Sequence, residues 1–266
     1  MSEMTKAAPS SRTREGTAPE TASLTAASGW RSLAIQPLCL LLVVGAMVVW
    51  LMTAELTETE KITLEPANLM VLAGQHLYLT FVSAFFVLIT AIPLGILLTR
   101  RPFHRFTGAV MGLANIGQAA PIVGLIVLFA FWLGFGPRAA LVTLVIYGFL
   151  PVLKNTMVGL EAVDSRLIEA ARGMGMSAWA VLWKVELPLA VPILLAGVRT
   201  ALVLLVGSAT LATFINGGGL GLLITTGVNL ALDRVLIFGA VLVAVFALAV
   251  DWVARVVEFY ATPKGL

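Results

Sequence analysis

Charge is what this sequence has little of: Asp, Glu, Lys and Arg make up 12% of its 266 residues, about half the share of a soluble domain. With 59% hydrophobic residues, the chain cannot cover its apolar surface with polar groups and belongs in a bilayer. Cysteine is nearly absent. The single Cys39 has no partner for an intrachain disulfide, which excludes a disulfide framework. Only two histidines, His76 and His104, are present, so no metal site is expected. The apolar runs lack period-two alternation, which argues against a β-barrel. No Gly-Lys-Ser/Thr follows the glycine run 217–219, so neither a phosphate loop nor ATPase machinery is expected in this chain. The net charge of +3 is small and the basic residues gather at the ends of apolar runs. They read as topology signals, and no nucleic-acid partner is expected.

What is there is a series of apolar runs, each near the roughly 20 residues a spanning helix needs. Residues 1–30 are rich in Ser, Thr, Ala and Pro and read as a disordered tail ahead of a transmembrane domain at 31–266. Because so long a polar stretch precedes the first run, that run (33–54) reads as a retained helix and not a signal peptide. An acidic loop with Pro66 stopping any helix fills 55–75, and a second helix is expected over 76–98. A third, 108–133, should kink near Pro121. A fourth takes 139–160, a polar interlude 161–191, and a fifth helix 192–214. The stretch 222–232 is too short to cross and reads as interfacial or re-entrant, before a sixth helix at 235–257. With the N-terminus on one side, fourteen of the seventeen Lys and Arg fall on that side. That side is expected to be cytoplasmic, with both termini inside.

The polar interlude is then cytoplasmic too. Asp164 or Ser165 can cap a short helix, Gly173 and Gly175 permit a break, and Ser177 can cap a second short helix that ends at Leu187-Pro188. Leu167, Ile168 and Ala171 recur at helical spacing, as do Trp179, Leu182 and Trp183. Such a face suits a groove on a partner protein, and it suits lipid headgroups equally well.

Glu169-Ala170-Ala171, three residues, Gly175, nine residues, Val185, one residue and Leu187-Pro188 resembles the cytoplasmic signature loop of bacterial ABC-importer membrane subunits. Val185 stands where isoleucine is usual. The resemblance implies the type I importer permease fold: an all-α membrane protein of six helices with a cytoplasmic coupling helix. It implies that Glu169, Ala170, Ala171, Gly175, Leu187 and Pro188 couple the chain to an ATPase subunit that carries the ATP and Mg, with no cofactor in this chain. The stretches 118–121, 147–153, 184–190, 196–201 and 217–221 further resemble permeases of the osmoprotectant branch, which import glycine betaine, choline, carnitine and related quaternary amines. That resemblance implies a second permease subunit, identical or paralogous, and an extracytoplasmic solute-binding protein that holds the affinity for solute.

Polar groups inside the apolar runs must face protein or water. Gln118, Tyr147, Ser208, Thr210 and Thr213 are candidates for the translocation path; hydrogen bonds between helices explain each of them as well. Gly217, Gly218 and Gly219 are expected to bend the chain at an outer gate. Arg199 is expected to snorkel or to pair with Glu186, and Asp251 to anchor its helix. Two other functions remain open: an importer of another solute type, such as amino acids, and a membrane-embedded hydrolase using Ser208. The hydrolase would need a base in reach, yet His76 is expected to begin the second helix on the outer side and His104 to lie in a cytoplasmic loop.

Overall fold

The structure, a computed structural model, describes residues 29–262. The expected tail at 1–30 lies almost wholly outside the described residues. The helices are α1 (Gly29–Thr53), α2 (Glu58–Thr63), α3 (Pro66–Leu98), α4 (Thr107–Ala119), α5 (Ile122–Leu133), α6 (Pro137–Glu161), α7 (Ser165–Gly173), α8 (Ala178–Val181), α9 (Leu187–Ala209), α10 (Gly221–Asn229) and α11 (Asp233–Ala261). A 3-10 turn, His104–Phe106, precedes α4, and another, Thr210–Ile215, follows α9. A π-turn, Leu182–Glu186, joins α8 to α9.

The expected loop 55–75 holds a short helix, α2, and the expected fifth helix gives way to a 3-10 turn after Ala209; three further differences from the sequence reading lie at prolines. Pro66 starts α3 instead of stopping a helix, because a first-turn residue has no intrahelical use for its N–H. His76 is therefore in the body of α3 and fully buried, not at a helix start. Pro121 does more than kink the third span. Ala120, held extended before it (ψ 141°), separates α4 from α5, and the two helices are bent by 98°. Pro188 does not end the second short helix of the interlude. The π-turn delivers the chain into α9 with Pro188 in its first turn, the Leu187 N–H donating back to the Leu182 carbonyl, and α9 continues through Pro192.

Among the described residues five helical runs are long and apolar enough to cross a membrane, with the bent pair between them. Packing decides what that pair does. Gly95 of α3 lies against Thr156 of α6, where an added Cβ would come within 2.8 Å of a Thr156 methyl. Leu79 shares a cluster with Ala139, Ala140 and Leu144. The two helices thus run parallel, so α4 and α5 must return the chain across the bilayer as one broken span. Helix α9 runs antiparallel to α6, with Gly148 on Leu205 and Gly159 on Ala190. Helix α11 runs antiparallel to α1: Gln36 donates to the Leu248 carbonyl (3.1 Å), and Arg234 reaches the Glu55 carbonyl. The start of α1 and the end of α11 therefore share one end of the bundle with the interlude.

At the other end α2 is locked by a reciprocal capping box. Thr57 accepts from the Glu60 N–H, and the Glu60 carboxylate accepts from the Thr57 N–H (2.9 Å). Those Thr57 bonds, backbone first, together with Arg234 hold the Glu60 carboxyl below the usual glutamate range. A carboxyl depressed on folding adds stability that is whole above its unfolded pKa and is lost as pH falls through the lower folded value. Amide protection in α2, taken relative to the intrinsic exchange rate at each pH, should therefore fall on acidification below the ordinary glutamate range, and Glu60→Gln should flatten that response; an unchanged profile in the variant would assign the acid sensitivity elsewhere.

Candidate coupling site

The interlude folds into an elbow on the bundle end. Asp164 caps α7 by accepting from the Arg166 N–H (2.9 Å). Gly175 turns the chain at φ +83°, a left-handed value that costs other L-residues roughly 1–2 kcal/mol. Gly173, expected to share the break, instead ends α7 without positive φ. Ser177 then caps α8 through the Ala180 N–H (3.3 Å). These are local signals, and the sequence carries them all.

The elbow has an inner and an outer face. Inside, Ala171 and Val181 are buried, and Leu182 packs with Leu160 of α6 and Ala190 of α9. Outside lie Glu169 and Ala170, with Leu167 half-exposed and Met174 73% exposed. Ala171 therefore packs inward against the bundle, while Glu169 and Ala170 face outward from α7. Gly175 is exposed beside them, and Leu187 and Pro188 sit half-buried at the root of α9. Trp179 and Trp183 form an exposed edge-to-face pair, ring centres 5.7 Å apart.

Sequence reasoning missed what fixes the root. Glu186 is buried, and its carboxylate accepts from both terminal nitrogens of Arg100, Nη1 at 3.1 Å from Oε1. Arg199 instead donates from Nε to Asp251 Oδ1 (2.5 Å), and Arg255 (3.1 Å) and Gln36 (3.3 Å) reach the other Asp251 oxygen. The available signal was a lone acid inside an otherwise apolar inner face, but its partner lies 86 residues away.

The pore candidates divide. Gln118, Tyr147, Ser208, Thr210 and Thr213 are all half-buried. Gly117 closes on Ile146, 2.8 Å from its methyl to an added Cβ, so Gln118 and Tyr147 occupy neighbouring positions at one crossing beside the 98° break. Ser208, Thr210 and Thr213 follow one another around the end of α9, where the Thr210 hydroxyl is spent on its own Gly207 carbonyl (2.6 Å). An open hollow there is lined by Thr213, Phe214, Thr225 and Asn229. The His76 Nε2–H donates to the Val206 carbonyl (3.0 Å).

The glycine run folds against α3. Gly218 and Gly219 have φ +82° and +96°, and the Gly219 N–H donates to Gln75 Oε1 (3.0 Å). A Cβ at Gly218 would strike the Gln75 amide.

Residues 91–259 match the family of binding-protein-dependent transport system inner membrane components. The chain belongs to this family. It is a multi-pass inner-membrane transport component, not an enzyme, and membership implies a solute-binding protein and an ATPase as partners in general. Similar family members include the glycine betaine/carnitine/choline permease OpuCB of Bacillus subtilis (strain 168), 43% identical over 199 residues, 75% of this chain and 91% of that one. The osmoprotectant import permease OsmY of Salmonella typhimurium is 38% identical over 79% of this chain and 87% of its own. Among solved structures, the inward-facing MetNI methionine ABC transporter superposes with a TM-score of 0.66 at 25% identity, covering 75% of this chain and 99% of that chain. The type I importer permease fold expected from the sequence is thereby established.

Proposed function

We propose that the chain forms one half of the translocation path of an ATP-driven importer for a small quaternary amine: glycine betaine, choline or carnitine. The observation that carries the ATP-driven part is the outward face of the elbow, Glu169-Ala170 and Gly175, presented by caps on both sides. An ATPase subunit, holding ATP and Mg, receives that face in a groove as helix-in-groove docking does. The bundle end that bears it is assigned to the cytoplasm because most Lys and Arg among the described residues lie there. The solute class is supported by the names of the relatives. A second permease subunit completes the path, and an extracytoplasmic binding protein delivers solute. Uptake by proteoliposomes holding the full complex tests the solute. Labelled glycine betaine should enter with ATP and be displaced by choline or carnitine; entry of α-amino acids alone would overturn the assignment.

The path runs past Gln118 and Thr210, and Gly217 to Gly219 shape its outer gate. In a Cys39→Ser background, Gln118→Cys and Thr210→Cys should react with a membrane-impermeant thiol reagent, the reactive face changing with nucleotide. Silence at both positions in inward- and outward-facing states removes them from the path.

A further inference from the structure

Glu186 is a costly residue where it stands. A buried carboxylate paired with an arginine adds little stability over well-packed apolar side chains, and Leu182, Leu160, Ala190 and Ile96 already pack the root of the elbow. What the pair adds is direction. It joins the π-turn under the elbow to Arg100, two residues beyond the end of α3. Helix α3 runs unbroken through Pro93. Near its other end, about 35 Å away at the helical rise, Gln75 accepts from the Gly219 N–H, and His76 beside it holds the Val206 carbonyl of α9. Close packing holds α3 along α6, with Gly95 on Thr156, and directional hydrogen bonds at two points along it tie it to the elbow root and to the glycine loop.

We propose that Arg100 and Glu186 are positioning residues for transport: they make α3 a rod that carries displacement of the elbow to the Gly218-Gly219 loop through Gln75. This rests on the coupling function proposed above. The test is the number of glycine betaine molecules carried per ATP hydrolysed by the complete complex in proteoliposomes. Arg100→Gln, Glu186→Gln and Gln75→Leu should each co-purify with the ATPase as the wild type does, yet carry roughly tenfold less solute per ATP, within the span of effects along coupling networks. The exchange Arg100→Glu with Glu186→Arg should recover most of the ratio. A wild-type ratio in Gln75→Leu, which disturbs no buried charge, overturns the rod even where the charge variants fail to accumulate. A charge exchange that assembles but stays as uncoupled as the single variants overturns the role of the pair. Failure of the wild-type chain to bind an ATPase would strike the functional proposal instead, so the two are distinguishable.

Discussion

Replacing Gly197 with leucine should abolish the folded bundle, and Gly197→Ala should already lower its stability by about 1–3 kcal/mol, the usual cost of overpacking. Gly197 lies where α9 crosses α6. A Cβ there would strike Asn155 and approach the Pro151 carbonyl to 2.8 Å. Neither neighbour can yield easily. Pro151 is inside α6, and Asn155 is tied by its own side-chain amide to that carbonyl (2.8 Å). Gly207, ten residues on in the same helix, has nothing within 4 Å of the corresponding position. Gly207→Ala should therefore gain up to roughly 1 kcal/mol from helix propensity. Unfolding in mixed detergent micelles reads both, and the opposite signs are the diagnostic. Equal effects at the two positions would mean that the α6–α9 crossing is not what limits stability.

The same contrast explains how much the sequence could tell. Apolar runs announce spanning helices because the bilayer demands continuous apolar faces, and Asp164, Gly175 and Ser177 announce the elbow because capping and positive φ are local. Proline is ambiguous locally. Its missing N–H ends a helix or starts one according to what neighbours supply, so Pro66, Pro121 and Pro188 are read from tertiary context. Ion-pair partners are equally hidden. Glu186 had Arg199 within thirteen residues and chose Arg100, because the parallel packing of α3 on α6 brings the end of α3 to the elbow. Gln75 and His76 straddle the boundary expected between the acidic loop and the second helix, so nothing local marks them as the contacts of the glycine loop and of α9.

Reversing the charge at Glu169 should sever the chain from its ATPase while leaving the bundle intact. Glu169 is exposed in mid-α7, so Glu169→Arg should shift permease stability by no more than about 0.5 kcal/mol. Enclosed in a groove, a carboxylate is desolvated and must be matched by a donor. Losing such a pair costs about 2–5 kcal/mol, roughly a 30- to several-thousand-fold loss of affinity, and reversal adds repulsion. Gly175 reaches the same end through geometry. Its φ of +83° is closed to proline, whose ring holds φ near about −65°, and Gly175→Pro also deletes the N–H that donates to the Arg172 carbonyl (2.9 Å). Gly175→Ala keeps that N–H and bears only the left-handed strain, so it should fall between wild type and proline. The measurement is the amount of ATPase recovered with the tagged permease and the hydrolysis it supports, against detergent stability of the permease alone. Full ATPase recovery with both Glu169→Arg and Gly175→Pro would mean that docking occurs elsewhere and that Trp179 and Trp183 present the elbow to lipid.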